Sequence, residues 1–205
     1  VSSPPTKSAQ ALPIKRAALL LLAAATLLMP AAQSAGAAED LKIGNGRGTI
    51  EFSIGESRIF RTTGGFGTWQ GNVQVNDADI PKSAVEVTVQ TGSLQMMDLQ
   101  QTDMLKDSDF FDVDRFPQMT FRSDKVERLG DDTLKIDGFL TLRGVTRPMT
   151  FNVTVTDRKP NAAPGARYAS FRAKGKIKRS EFGMTKYVDL VGDDVEISIR
   201  TDAWR

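Results

Sequence analysis

Four aspartates lie close together in the stretch LKDSDFFDVDRFPQMTFRS, which covers residues 105–123. They are Asp107, Asp109, Asp112 and Asp114. Clustered carboxylates can act as general acids and bases or can bind calcium. The stretch lacks the glycine and the distant glutamate of a calcium-binding loop, so its spacing favours a solvated acidic loop over a calcium site.

Catalysis by the commonest side chains is excluded by composition, because the chain contains no histidine and no cysteine. Their absence excludes Ser-His-Asp and Cys-His catalysis and removes nearly every zinc site of known ligand spacing. An enzyme could still use paired carboxylates, lysine, tyrosine, or serine with lysine. The specific alternative is a hydrolase or isomerase that uses carboxylates such as Asp109 and Asp112 with Tyr168 or Tyr187. We therefore predict a protein that is not an enzyme and that uses no cofactor and no metal ion.

The same stretch carries apolar rings that need a place to be buried. Phe110 and Phe111 cannot both face water at low cost, and Phe116 precedes a proline, which favours an extended backbone. Met119 and Phe121 then alternate with polar residues, as in a half-buried strand. This pattern predicts an aromatic and acidic loop that turns inward and becomes a strand, with its rings capping or lining a cavity.

The elements around this loop are predicted to be mostly strands. Alternating apolar and polar residues recur at residues 50–54, 69–75, 85–89, 119–126, 134–142, 149–155, 169–177 and 195–199. One short helix is predicted over residues 98–106, with Asp98 as its N-cap and Gln101 as the capping-box partner.

The connections between these strands indicate how the sheet is arranged. The glycines at 44, 46 and 48 are interpreted as the start of the first strand, and those at 64, 65 and 67 as a bend or bulge. Short links without helical crossovers predict an all-β fold. We expect an antiparallel up-and-down barrel of eight strands, in which closure removes the exposed edges.

The first 37 residues have the three parts of a secretory signal peptide. Lys15 and Arg16 precede an apolar run at residues 17–29, and small residues follow as far as Ala37. We predict cleavage after Ala37, with Ala35 and Ala38 as alternative ends of the signal peptide. We also predict a periplasmic or secreted protein and a single domain over residues 41–205. The apolar run is shorter than the roughly 20 residues that cross a bilayer, so no stable membrane span is expected after cleavage.

Removal of this segment changes the charge of the chain. The full sequence has 27 Lys and Arg against 25 Asp and Glu, and Lys7, Lys15 and Arg16 lie in the signal peptide. The remaining 27 minus 3, or 24, basic residues against 25 acidic residues give a net charge of −1. A nucleic-acid partner is not expected, because nucleic-acid binding needs a basic patch or stripe.

Three blocks of the sequence resemble the YceI-like family of polyisoprenoid-binding, lipocalin-like proteins. They are the stretch at residues 105–123, GFLTLRGVTRPMTF at residues 138–151 and IKRSEFGM at residues 177–184. The resemblance covers about residues 41–205. Members often carry a histidine in the first long strand, whereas the corresponding stretch here, IEFSIGESRIFRTTGGF, has none.

The resemblance implies a lipocalin-like barrel that holds an isoprenoid or other long-chain lipid in an apolar tunnel. The expected tunnel residues are Phe66, Trp69, Leu105, Phe110, Phe111, Phe116, Phe121, Leu140, Leu142 and Phe151. Arg143 and Arg179 lie in turns that could present them to an anionic head group. Ordinary surface charge is the alternative interpretation of both arginines.

Periodicity does not decide whether the barrel interior is a cavity or a filled core, because the same residues face inward in both cases. A filled barrel would favour a protein-interaction or stress-response module, acting through its outer face or through an exposed aromatic pair on the acidic Phe110 loop. Pairing of two barrels as a homodimer is a further possibility that the sequence leaves open.

Overall fold

The computed structural model describes residues 38–55, 61–159, 163 and 165–205. The predicted signal peptide lies outside the described residues, as does part of the loop after residue 157. The described elements are β1 (Glu39–Ile54), β2 (Thr62–Phe66), β3 (Trp69–Val75), β4 (Ala84–Gln90), β5 (Leu94–Met96), α1 (Leu99–Lys106), β6 (Gln118–Arg128), β7 (Thr133–Leu142), β8 (Val145–Thr156), β9 (Arg167–Lys178), α2 (Val188–Val191) and β10 (Asp194–Trp204).

Eight of these strands form the predicted closed antiparallel barrel. The order around it is β1, β3, β4, β6, β7, β8, β9 and β10, and β10 pairs again with β1. Each neighbour is the next barrel strand along the chain, which is the up-and-down arrangement. Closure pairs the two strands that would otherwise be the edges of an open sheet.

β1 is longer than the sequence predicted, because it pairs along one edge with two different strands. Its first part pairs with β3 and its second part with β2. Between the two parts, Gly44 and Gly46 have φ angles of 83° and 80°. A Cβ on Gly44 would lie 2.5 Å from the carbonyl oxygen of Trp69, so glycine is required there. The glycines predicted to start the strand lie inside it.

Two short strands, β2 and β5, were not predicted, and they extend the sheet beyond the barrel. β2 pairs with the second part of β1, and β5 pairs with β2. The predicted bend is present at Gly67, between β2 and β3, whereas Gly64 and Gly65 lie within β2. A Cβ on Gly64 would contact the sulfur of Met96 and would lie 2.5 Å from Cζ of Phe52. The missing side chain therefore lets these neighbours pack onto the strand.

The predicted helix is present as α1, and its N-cap is as expected. The Asp98 carboxylate accepts a hydrogen bond from the Gln101 backbone N–H at 2.8 Å. The Thr102 hydroxyl donates to the Asp98 carbonyl at 2.9 Å and accepts from the Met96 N–H at 3.0 Å. These bonds attach the helix to β5. Among the described residues, no helix has the length and apolar character needed to cross a membrane.

The two ends of the barrel differ, and we call them the open end and the closed end. At the open end β1 finishes and β10 begins, whereas at the closed end β1 begins and β10 finishes. At the closed end the Tyr168 hydroxyl donates to Asp77 at 3.1 Å, and Arg158 pairs with Asp77 at 3.4 Å. Burial, and then the charge of Asp77, raise the pKa of the Tyr168 phenol.

Candidate ligand-binding cavity

An apolar cavity of about 290 Å³ lies inside the barrel at its open end, and we call it the upper cavity. Inward-facing side chains of the barrel strands form most of its wall, including Ile50, Leu142 and Ile197. Met104 on α1 and Tyr187 beside α2 lie at its mouth. Both are partly exposed, so apolar surface continues from solvent into the barrel.

A second cavity of about 110 Å³ lies nearer the closed end, and we call it the deep cavity. Trp69, Val153 and Tyr168 contribute to its wall. The combined volume of the two cavities lies in the lower part of the range of roughly 300–1,000 Å³ that is usual for small-molecule sites. The barrel interior is therefore not filled by its own side chains.

Most of the residues predicted from the sequence line one of the two cavities. Those on the upper cavity are Phe66, Leu105, Phe110, Phe111, Leu140, Leu142 and Arg179. Trp69 lines the deep cavity, and Phe121 and Phe151 border both. Phe116 and Arg143 are not among the lining residues of either cavity. Whether any of them binds a ligand stays a prediction.

The aromatic pair of the acidic loop faces the barrel interior. Phe110 is only 6% exposed, and Phe111 is half-buried. The Phe111 ring meets the Phe66 ring edge to face, with centroids 5.5 Å apart, and lies 6.3 Å from the Phe52 ring. The interaction-module hypothesis that used this loop required Phe110 and Phe111 to be exposed, and that requirement is not met.

Arg143 holds the acidic loop rather than facing the cavity. It occupies the turn between β7 and β8 with a φ of 52°. Its guanidinium donates a hydrogen bond to the Ser108 carbonyl at 2.9 Å and another to the Phe110 carbonyl. These donors fix the backbone that carries Phe110, and binding of a head group by Arg143 stays a prediction.

Phe116 anchors the other end of the same loop. Its ring lies against the β7–β8 turn, where a Cβ on Gly144 would be 3.0 Å from the ring. Its carbonyl accepts a hydrogen bond from the Thr91 hydroxyl at 2.6 Å. Phe116 therefore packs outside the cavity because the loop, and not the following strand, sets its direction.

Arg179 is buried and organises the chain that leads into α2. Its Nε donates to the Gly192 carbonyl at 2.9 Å, and its Nη1 donates to the carbonyls of Met184 at 3.0 Å and Lys186 at 2.7 Å. Burial lowers the pKa of this guanidinium, and the nearby charge of Asp193 opposes that shift. A buried arginine needs such partners, since an unpaired buried charge is costly.

The acidic loop and the segment before α2 meet across the mouth. Lys186 forms an ion pair with Asp109, and this hydrogen bond raises the pKa of the Lys186 ammonium. The Phe110 and Tyr187 rings lie with centroids 6.5 Å apart.

Tyr168 lies at the opposite end of the barrel, so the structure does not bring it near Asp109. In the described part of the chain, no group of three or more acidic side chains is placed to hold a metal ion.

Methionines form a part of the wall, although none of them was among the predicted ligand-binding residues. Met96, Met104, Met119, Met149 and Met184 all line the upper cavity. Methionine is unbranched and polarizable, so it adapts its shape to irregular apolar surfaces. Alternation along β6 and β8 indicated inward positions for Met119 and Met149, whereas no local pattern identified the other three.

Comparison with known proteins identifies the family of the chain. Residues 41–203 match the family model of the YceI-like domain. The chain is 32% identical to Protein YceI of Salmonella arizonae over 149 residues, which is 73% of this chain and 75% of that protein. The fold is similar to the crystal structure of BcnA from Burkholderia cenocepacia, with a TM-score of 0.66 and 25% identity over 77% of this chain and 96% of that one.

A more distant structure shares the fold alone. It is a polyisoprenoid binding domain from Saccharophagus degradans, implicated in plant cell wall breakdown, with a TM-score of 0.59 and 10% identity. The similarity covers 80% of this chain and 97% of that one. Because the family model spans most of the sequence and the resemblance of the three sequence blocks agrees with it, the chain belongs to the YceI-like family.

Proposed function

We propose that this protein binds an isoprenoid chain or a similar long apolar lipid inside its barrel, and transports or sequesters it without catalysis. The observation that carries the proposal is the upper cavity, whose wall is formed mostly by aliphatic, aromatic and methionine side chains. An empty apolar cavity lowers stability because its lining atoms lack contacts. A slender apolar ligand supplies those contacts and removes its own surface from water.

Transfer energies explain why such a site would select weakly among apolar ligands. Each buried methylene contributes roughly 0.8 kcal/mol, so one five-carbon isoprene unit contributes at most about 3–4 kcal/mol. Several units would exceed the affinity limit of roughly 18–21 kcal/mol, so much of this energy is lost in ordering the chain. Selection must therefore come from the shape of the cavity and from polar groups at its mouth.

The polar groups at the mouth are few. Gln101, Arg179, Lys186 and the hydroxyl-bearing residues Thr62, Thr120 and Tyr187 border the upper cavity together with the apolar residues. Two backbone carbonyls beside the mouth already accept hydrogen bonds from Arg179 Nη1, and the Lys186 ammonium pairs with Asp109. Gln101, on the first turn of α1, and the Tyr187 hydroxyl are therefore the side-chain groups we expect to contact a polar head group.

The name of the Saccharophagus degradans domain supports an isoprenoid as the ligand, through similarity of fold. Export is part of the proposal and is supported by the signal-peptide pattern of residues 1–37. A periplasmic or secreted carrier would meet free lipids at a membrane surface. The absence of histidine and cysteine supports a protein that binds its ligand without transforming it.

Native mass spectrometry tests the proposal most directly. The protein is purified without detergent from a bacterial periplasm, and its mass is measured before and after extraction with organic solvent. We expect an additional mass that disappears on extraction, and an extract whose mass spectrum shows repeats of the isoprene unit. A protein that carries nothing and also takes up no added prenol would contradict the proposal.

A further inference from the structure

Two aromatic rings meet in the middle of the barrel. Phe121 and Phe151 lie edge to face, with ring centroids 5.1 Å apart and ring planes at 87°. Each side chain is only 7% exposed. Together with Val87 and Ile199 they border both the upper and the deep cavity. Phe121, Phe151 and Ile199 lie on β6, β8 and β10, which are alternate strands of the barrel. Val87 lies on β4 directly opposite Phe121, so the four residues form one layer between the cavities.

The strands β7 and β9, which lie between β6, β8 and β10, carry glycine beside the Phe121 and Phe151 rings. Gly138 on β7 and Gly175 on β9 occupy inward positions of the alternating pattern. A Cβ on Gly138 would lie 2.8 Å from Cζ of Phe121, and a Cβ on Gly175 would lie 3.0 Å from the Phe151 ring. Both distances are too short for ordinary packing. Large rings and missing side chains therefore complement each other across this layer.

We infer that the layer of Phe121 and Phe151 is the floor of the ligand chamber and sets the longest apolar chain that the barrel accepts. This inference rests on the proposed function. A chain that fits the upper cavity touches the floor without moving it. A longer chain must displace two rings that pack against each other and against the barrel wall, or leave its last unit in water.

The deep cavity explains why a change in the floor would change which ligands the barrel accepts. It is apolar and lies directly below the rings, so a smaller side chain in the floor would join the two cavities. The joined cavity would then bury a longer chain. Truncation of phenylalanine in a packed interior leaves a void that the surroundings fill only in part, so the space remains available to a ligand.

The test measures the affinity of linear prenols that differ by one isoprene unit, using the delipidated protein and its Phe121→Ala and Phe151→Ala variants. In the unsubstituted protein we expect affinity to rise with length up to a limit and then to stop rising. In each variant the limit should move by about one unit, with about tenfold or more tighter binding of the first prenol beyond the original limit.

Three further variants keep the test interpretable. Phe139→Ala removes the same atoms from a half-exposed position on β7 and should leave the length limit unchanged. Phe121→Leu and Phe151→Leu make a smaller change that the fold tolerates if the alanine variants do not fold. Circular dichroism confirms the barrel in every variant before affinities are compared.

The possible results separate the inference from the proposed function. A limit that moves to longer prenols in the floor variants, and not in Phe139→Ala, supports the floor. Binding with the same limit in the unsubstituted protein and in folded floor variants overturns the floor and leaves the proposed function standing. No binding of any prenol by the unsubstituted protein overturns both.

Discussion

At the scale of single residues, two arginines hold the backbone around the mouth. Arg143 donates to carbonyls of the acidic loop, and Arg179 donates to carbonyls on both sides of α2. The guanidinium group suits this task because its several fixed donors can satisfy carbonyls that no strand pairs. Hydrogen bonds from half-buried Arg143 therefore hold the acidic loop, and hydrogen bonds from buried Arg179 hold the chain around α2.

Replacement of Arg143 by alanine should loosen the acidic loop. We expect the free energy of unfolding to fall by about 1–3 kcal/mol, because the variant loses charge-assisted hydrogen bonds to the Ser108 and Phe110 carbonyls. Hydrogen exchange should accelerate at the amides of residues 108–112. Chemical denaturation and hydrogen exchange measured by mass spectrometry provide the two readouts.

Arg122→Ala is the matched control for this change. Arg122 forms an exposed ion pair with Glu86 at 3.0 Å on the outer face of the barrel. Exposed pairs contribute about 0–1 kcal/mol, so the control should remain close to the unsubstituted protein in both readouts. Equal behaviour of the two variants would show that Arg143 does not hold the loop.

At the scale of elements, the Asp98 cap predicted α1, and alternation of apolar and polar residues predicted the eight barrel strands. It missed β2 and β5 for separate reasons. β5 is only three residues long, and β2 contains Gly64 and Gly65, which indicate a bend when read locally. Tertiary packing instead places both glycines in a strand, because the absent side chain of Gly64 lets Phe52 and Met96 pack against β2.

The sequence predicted the cavity-lining residues of regular strands better than those of loops. Inward positions of regular strands, such as Phe121, Leu142 and Phe151, follow from the alternation. Phe116 and Arg143 depend on how a loop packs on a turn, which no local pattern determines. The presence of a cavity was also beyond prediction, because it depends on how much of the interior the inward side chains fill.

Gly64→Ala tests the packing of β2. The added methyl group would collide with Phe52 and Met96, so we expect the free energy of unfolding to fall by about 1–3 kcal/mol through overpacking. Gly92→Ala is the control, because a Cβ there meets no atom within 4 Å. Its effect should lie within about 0.5 kcal/mol. Thermal and urea denaturation measure both, and equal losses would refute the role assigned to Gly64.

At the scale of the whole molecule, the barrel encloses an apolar chamber whose mouth lies at the open end. The Asp77, Arg158 and Tyr168 cluster lies at the closed end, while the acidic loop and the two helices surround the mouth. The chamber exists only when the strands close, so the unfolded chain offers no equivalent site. Ligand binding and folding are therefore coupled in the proposed function.

This coupling predicts that a bound prenol stabilises the protein against heat. A ligand that binds only the folded state at 100 times its Kd adds about 2.7 kcal/mol, which corresponds to a rise in Tm of about 5–10 °C for a chain of this size. Leu142, only 3% exposed, lines the upper cavity. In Leu142→Asp, a carboxylate in the apolar wall should abolish the rise.

Asp131→Ala completes the comparison, because Asp131 lies in the exposed turn between β6 and β7, at the closed end. That variant should show the full rise in Tm, and differential scanning calorimetry at several prenol concentrations measures all three proteins. The shift should grow with the logarithm of ligand concentration once the site is saturated, as mass action requires. An equal rise in the folded Leu142→Asp variant would show that the prenol binds outside the upper cavity.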